Sequence, residues 1–246
     1  MKNSINITWC YPDILSLHGD RGNIMAFERI CKMLDVEVII NRIDNYSDKI
    51  DFENTDILFF NPGEFKCIEY IVEALNKQKK ELKKYIENNK VLITIGTTGA
   101  AFAKTIKRIN KDDIDGLGFL DMTCEERDTI HGDDLIVKLY NDMEIAGNQI
   151  QVMETILNNE NIKFADVIYG YGNNGYEKKQ EGAKYKNLIF TNILGPLFVK
   201  NPWYAEEIIK IALKNKKMKL DKVIDVENYD IEIKSLEAIK KYNEEK

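Results

Sequence analysis

Residues 91–104 read VLITIGTTGAAFAK and set the class of fold that we expect for the chain. Val91–Ile95 is a run of apolar and β-branched residues, which is typical of a buried strand. Residues 96–99 are a tight turn of small side chains, and residues 100–104 are expected to open a helix. Strand, sharp turn and helix in this order form a nucleophile elbow, which holds a Cys or Ser at its apex. Here the apex is Gly96, so the turn lacks a nucleophile.

The sequence on the amino-terminal side of this elbow alternates between strand and helix patterns. We expect strands at residues 5–11, 36–43 and 56–60, and helices at residues 23–34, 68–75 and 81–88. Strands separated by helices imply right-handed βαβ units. The first half therefore predicts an α/β fold with a mostly parallel sheet flanked by helices.

The second half of the chain is expected to be richer in strands. Short strand patterns lie at residues 135–140, 150–153, 164–169 and 188–192. Asn201 is a candidate N-cap for a helix that begins at Pro202, and residues 230–242 form a terminal helix pattern. Without an internal repeat or a linker, we expect a single domain over residues 1–246, with a C-terminal helical extension over about residues 203–246.

Composition narrows the class of protein further. The chain has 246 residues, of which 44% are hydrophobic and 31% are charged, and its formal net charge is −6. Such a chain is globular with a sizeable core rather than disordered. A negative net charge argues against a nucleic-acid partner. No apolar run has the length of a membrane span or a signal segment, so we expect no membrane insertion.

The cysteines indicate neither a disulfide framework nor a metal site. Four cysteines are scattered along the chain without a CxxC pair, and the two histidines supply no zinc-ligand spacing. We therefore expect free thiols in a cytoplasmic protein, with no metal and no cofactor.

Several short motifs, in the same order over nearly the whole chain, carry a resemblance to a known family. They are YPD at residues 11–13, LHGDRGNI at 17–24, GLGFLD at 116–121, YGYGNN at 169–174, EG at 181–182, YKNL at 185–188, GPL at 195–197 and KNP at 200–202. Together they resemble the GatD-like group of the CobB/CobQ-type class I glutamine amidotransferases. The resemblance implies a flavodoxin-like glutaminase domain. It also implies a Mur-ligase-like (MurT-like), ATP-dependent partner in peptidoglycan synthesis, with corrinoid amidation as a more distant pathway.

The resemblance also locates three positions at which the chemistry of glutamine hydrolysis is missing. Such a glutaminase needs a thiolate nucleophile and a histidine that moves its proton. The family's cysteine position is Gly96 here, and the histidine position before a Gly-Pro pair is Leu194. The family's substrate-binding arginine falls at Glu154, an anion that would repel the glutamine carboxylate. We therefore predict a catalytically degenerate subunit whose role is to bind its partner.

Two other functions remain open at this point. Thr97 or Thr98 would serve as an unconventional nucleophile if His18 lay beside it as a base. Alternatively, the vestigial pocket, comprising residues 96–99, Glu154 and Leu194, binds a small molecule or an anion. Against both, a turn of small residues is commonly a device for tight packing between a strand and a helix.

Polar residues in two of the family motifs are candidates for contacts with a partner or ligand. The first set follows the first predicted strand and comprises His18, Asp20, Arg21 and Asn23, where Asp20 is also a candidate helix cap. The second set lies in a turn rich in glycine and asparagine and comprises Gly172, Asn173 and Asn174.

Overall fold

The protein is described by a computed structural model, which covers residues 3–19 and 21–245. Its strands are β1 (Ser4–Cys10), β2 (Glu37–Ile43), β3 (Ile57–Phe60), β4 (Val91–Ile95), β5 (Thr105–Lys107), β6 (Ile114–Asp115), β7 (Met122–Leu139), β8 (Glu144–Leu157), β9 (Ala165–Tyr169), β10 (Gln180–Glu181), β11 (Ala183–Tyr185) and β12 (Leu188–Thr191). Its α-helices are α1 (Arg21–Met33), α2 (Ile68–Asn76), α3 (Lys79–Glu87), α4 (Leu197–Lys200), α5 (Pro202–Asn215) and α6 (Asp230–Glu244).

The main sheet has six strands in the order β11-β12-β4-β3-β1-β2. All neighbours are parallel except the edge pair β11 and β12, so the prediction of a mostly parallel α/β sheet is confirmed. In the register of β4 and β12, Ile95 pairs with Thr191. The residues that follow these two strands therefore emerge at the same carboxyl edge, where open α/β sheets form their sites.

Helices cover both faces of this sheet because its central strands are apolar on both sides. In β3, Ile57 and Phe59 join one core cluster, whereas Leu58 and Phe60 join the other. The first cluster includes the buried faces of α1 and α5, and the second includes those of α2 and α3. Successive side chains of a strand point to opposite faces of the sheet. Apolar residues at both odd and even positions are therefore the pattern of a strand buried between two helical layers.

A second sheet, drawn mainly from the second half of the chain, has the order β10-β9-β7-β5-β6 with β8 paired to β7. Its centre is the antiparallel hairpin of β7 and β8, whose register shifts between Glu126 and His131. The expected richness in strands is confirmed, but the hairpin extends well beyond the predicted segments. Residues 125–134 read EERDTIHGDD and lack an apolar alternation, because this part of β7 is largely accessible to solvent.

The expected helix at residues 100–104 is wrong. The chain instead forms a 3₁₀ helix over Gly96–Phe102 and then enters β5. A Cβ at Gly99 would lie 2.1 Å from the Phe190 ring, so this turn packs directly against β12. The observation favours the packing explanation for the small residues of the turn.

The predicted helices near the C-terminus are present, but α5 belongs to the core. Ala205, Ile208 and Ile209 are buried with α1 in the first core cluster. Asn201 is the N-cap residue of α5 as expected, with Pro202 at the start of the helix, but its side chain does not cap a helix amide, because its Oδ1 accepts the Ala146 N–H at 2.9 Å. The single-domain assignment remains a prediction. Within the described residues, no helix is both long enough and apolar enough to span a membrane.

Candidate functional site

A cavity of about 420 Å³ opens where the elbow meets the β7–β8 hairpin. We call it the elbow cleft. Its volume lies in the range of small-molecule sites. It is lined by Leu17, His18, Pro62, Gly63, Glu64, Phe65, Gly96, Thr97, Glu126, Arg127, Ile130, Ile150, Val152 and Leu194.

The structure brings Gly96 and Leu194 together in this cleft. Gly96 has a φ of +61°, and a Cβ built on it would lie 3.5 Å from Leu194 Cδ2 and 3.1 Å from Pro62 Cβ. Leu194 is fixed by a β-bridge, in which its N–H donates to the Asn148 carbonyl at 2.7 Å. A side chain at position 96 would thus contact residue 194, although neither residue carries a nucleophile or a base.

The two threonines of the elbow are held by hydrogen bonds within the protein. The Thr97 hydroxyl donates to the Gly63 carbonyl and accepts the Gly63 N–H at 3.2 Å. Thr98 is fully buried, and its hydroxyl donates to the Ile95 carbonyl at 2.9 Å. His18 lines the same cleft, and partial burial lowers the pKa of its imidazole. Within the hydrogen bonds of the described residues, neither threonine hydroxyl is joined to a histidine.

Glu154 lies beside the cleft as part of a charged pair rather than as a lone anion. Its Oε1 accepts from Arg127 Nη1 at 2.6 Å and from the Tyr171 hydroxyl at 2.7 Å. The expectation of simple repulsion at position 154 is therefore corrected, because a guanidinium compensates the carboxylate. Arg127 lines the cleft itself, whereas Glu154 is not among its lining residues.

Arg127 is a charged residue of the cleft that the sequence does not reveal. It lies within the register shift of β7, between Glu126 and His131, and its guanidinium reaches Glu154, which pairs with Glu125 across the hairpin. An acidic and basic stretch such as residues 125–128 is commonly a solvated surface, so its composition gave no sign of a cleft. The signal that could have revealed this position is the apolar residues that flank the charged stretch on both strands, because they predict a longer hairpin.

The first set of contact candidates separates into exposed and buried members. Arg21 is exposed and forms an ion pair with Asp13. Asn23 is fully buried, and its Oδ1 accepts the Phe198 N–H at 2.9 Å. Its assignment as a contact residue is therefore corrected, since the amide ties α1 to α4 inside the protein. Asp20 lies outside the described residues.

The second set forms an internal network. The Gly172 carbonyl accepts from Gln151 Nε2 at 3.1 Å. Asn173 is fully buried and exchanges two hydrogen bonds with the backbone of Gly182. These two residues stabilise the junction of β8 with β10 and β11, which corrects their assignment as contact residues. Asn174 is half-buried and is the member of this turn that remains partly accessible.

The chain was compared with proteins of known function. No family model matches it. The subunit GatD of lipid II isoglutaminyl synthase (glutamine-hydrolysing) from Streptococcus pneumoniae is 27% identical over 217 residues, covering 86% of this chain and 82% of the relative. The corresponding subunit GatD from Staphylococcus aureus is 29% identical over 204 residues, covering 83% of this chain and 82% of the relative. The resemblance to the GatD-like group is confirmed.

Solved structures agree with the predicted fold. A glutamine amidotransferase crystal structure matches with a TM-score of 0.52 and 14% identity, over 84% of this chain and 98% of that one. The glutaminase domain of Trypanosoma brucei CTPS, solved with acivicin, matches with a TM-score of 0.55 and 12% identity, over 87% of this chain and 95% of that one. The chain is thus similar over most of its length to GatD subunits and has the flavodoxin-like fold of the class I glutamine amidotransferases.

Proposed function

We propose that this chain is a catalytically degenerate GatD-like subunit. In this role it binds a Mur-ligase-like, ATP-dependent partner that amidates a peptidoglycan precursor, and it does not hydrolyse glutamine. The similarity to subunits named for lipid II isoglutaminyl synthase supports the pathway. The loss of reactive groups from the elbow cleft supports the degeneracy.

The observation that carries the proposal is the contact between positions 96 and 194. Hydrolysis of a glutamine amide needs a nucleophile and, within hydrogen-bond reach, a group that moves its proton. The geometry keeps these positions adjacent, with 3.5 Å between a Cβ at Gly96 and Leu194 Cδ2. A hydrogen atom and an isobutyl group stand there instead, and neither forms a covalent intermediate nor accepts a proton.

An active glutaminase with unconventional residues is the alternative function. It requires a threonine hydroxyl that is accessible and activated by a neighbouring base. Thr98 is buried, and the Thr97 hydroxyl is engaged by both backbone groups of Gly63. These contacts favour structural roles for both threonines.

The test combines an association assay with an activity assay. The chain would be co-expressed with the Mur-ligase-like protein of the same genome, and the complex measured by size-exclusion chromatography. We expect a stable complex that releases no glutamate from glutamine and amidates its precursor only with added ammonium. The variants Thr97→Ala and His18→Ala would show the same background as the unmodified chain. The absence of a complex contradicts the partner role, and glutamate release that disappears in either variant contradicts the degeneracy.

A further inference from the structure

The elbow cleft combines an apolar wall with charges of both signs. Leu17, Ile150 and Leu194 are among its apolar lining residues. The charged residues Glu64, Glu126 and Arg127 also line it. A cavity with an apolar wall and a few polar groups is the usual form of a small-molecule site.

The wall at the elbow offers little to a polar ligand group. The Gly63 N–H and carbonyl are both satisfied by the Thr97 hydroxyl. Gly96 and Leu194 contribute only carbon-bound hydrogen from their side chains. A carboxamide placed against this wall would lose hydrogen bonds with water without replacing them, whereas an alkyl group would lose none.

The guanidinium of Arg127 retains capacity for an anionic group. In the part of the chain that the structure describes, its recorded hydrogen bonds to Glu154 and Tyr171 both use Nη1. A guanidinium has five donors in a planar fork, so Nε and Nη2 remain available for a carboxylate.

The cleft is unsuited to a simple anion because carboxylates line it as well. Glu126 accepts the Ile109 N–H through Oε2, and within the described residues its Oε1 has no hydrogen-bond partner, which leaves that oxygen for a cation. Glu64 is exposed and, among residues 3–19 and 21–245, forms its ion pair with the exposed Lys66. A ligand with one negative and one positive group matches both kinds of lining charge, whereas a monoanion meets repulsion from the two carboxylates.

We propose that the elbow cleft binds a zwitterionic α-amino acid with an apolar side chain, in preference to glutamine. The ligand carboxylate lies against Arg127, its ammonium group faces the carboxylate of Glu126 or Glu64, and its side chain contacts the wall around Leu194. This proposal goes beyond the partner-binding role and does not rest on it, since it concerns the isolated chain.

The experiment is isothermal titration calorimetry on the full chain with a matched ligand series. L-Norleucine has an alkyl side chain close in size to that of L-glutamine, while hexanoate and pentylamine each lack one of the two charges. We expect saturable binding of norleucine, about tenfold tighter than that of each of the other three ligands, which corresponds to about one lost hydrogen bond or charge contact. Glutamine binding as tightly as norleucine overturns the proposal, as does the absence of saturable norleucine binding up to about 10 mM, a range that covers weak small-ligand affinities.

A pair of matched double variants tests the position of the site. R127Q/E154Q removes both charges of the pair beside the cleft and should weaken norleucine binding about tenfold. R29Q/E232Q removes an ion pair that lies away from the cleft and has the same 2.6 Å distance between nitrogen and oxygen. This variant should leave the affinity for norleucine unchanged. Arg127→Lys, which keeps the charge but loses the fork, should fall between them. Equal affinities for the two double variants overturn the proposal, whether or not the Mur-ligase-like partner binds.

Discussion

The hydroxyl of Thr97 and the backbone of Gly63 satisfy one another, with the hydroxyl donating to the carbonyl and accepting the N–H at 3.2 Å. Gly63 follows the Asn61-Pro62 turn after β3, and Thr97 follows β4. The pair therefore joins the ends of two neighbouring strands across the floor of the elbow cleft. It also occupies a backbone donor at the position where an elbow enzyme needs donors for an oxyanion.

Thr97→Ala should destabilise the protein because both polar groups of the buried Gly63 lose their partner. We expect a loss of about 1–2 kcal/mol, typical of a broken hydrogen-bond pair at a partly buried site. For a chain of this length, that loss lowers Tm by about 2–8 °C. Thr97→Ser keeps the hydroxyl and should lose less than half as much. Equal Tm values for Thr97→Ala and Thr97→Ser in calorimetry would show that the hydroxyl contributes nothing to stability.

Gly96→Ala should be more costly than Gly118→Ala, although both glycines have a positive φ. The φ values are +61° and +74°, so each substitution carries the left-handed penalty of about 1 kcal/mol. A Cβ at Gly96 would also lie 3.1 Å from Pro62, whereas one at Gly118 has nothing within 4 Å. Urea unfolding should place the cost at about 2–3 kcal/mol for Gly96 and about 1 kcal/mol for Gly118. A larger cost at Gly118 would contradict the steric argument.

Five strands of the main sheet could be predicted from sequence because each is a local signal, whereas the short edge strand β11 was missed. Ile57–Phe60 is apolar on both faces of the strand, as is Val91–Ile95 apart from Thr94, and such runs are typical of strands buried on both faces. The adjacency of Gly96 and Leu194 needs one more fact, the pairing of β4 with β12. The family resemblance gave positions 96 and 194 paired chemical roles, but neither it nor the local patterns specified this strand pairing.

The pairing of Arg127 with Glu154 could not be predicted because it depends on a long-range register. It forms across a hairpin whose two strands shift register within a charged segment. The expectation that Asn23 and Asn173 contact a partner or ligand was wrong for another reason. Polar side chains suggest surface positions, but both amides are buried, and hydrogen bonds to the backbone of distant residues compensate their burial.

Glu181 should make stability depend on pH. Burial raises the pKa of its carboxyl above the ordinary value, against hydrogen bonds from Asn192 and Thr191 that favour the charged form. A folded-state pKa above the unfolded one means that folding takes up a proton, so this contribution to stability is present at low pH and is lost as pH rises through the raised pKa.

The neutral variant Glu181→Gln isolates this effect. Because it does not titrate, the free energy lost relative to the unmodified chain should be larger at pH 5 than at pH 7.5. Chemical unfolding at both values measures the difference. A loss that is equal at both pH values, or larger at pH 7.5, would mean that hydrogen bonding to the carboxylate outweighs its desolvation.

Asn173 and Asn174 offer a test of the internal role of their turn. The Asn173 side chain donates to the Gly182 carbonyl at 2.9 Å and accepts its N–H at 2.7 Å, and Asn192 donates to it at 3.1 Å. Asn173→Ala leaves these buried groups without partners and should cost about 2–4 kcal/mol. Asn174→Ala should cost less than about 1 kcal/mol, since its buried Oδ1 has no hydrogen-bond partner among the described residues.

The two variants also separate a structural role from a role in partner binding. If the turn is internal, Asn173→Ala lowers Tm, but below that temperature the folded protein still binds the Mur-ligase-like subunit with unchanged affinity. Asn174→Ala leaves both quantities nearly unchanged. Weaker partner binding by folded Asn173→Ala at 20 °C would show that the hydrogen bonds of Asn173 hold the turn in the conformation that an interface requires. In that case the family motif at residues 169–174 would have a role beyond the stability of the second sheet.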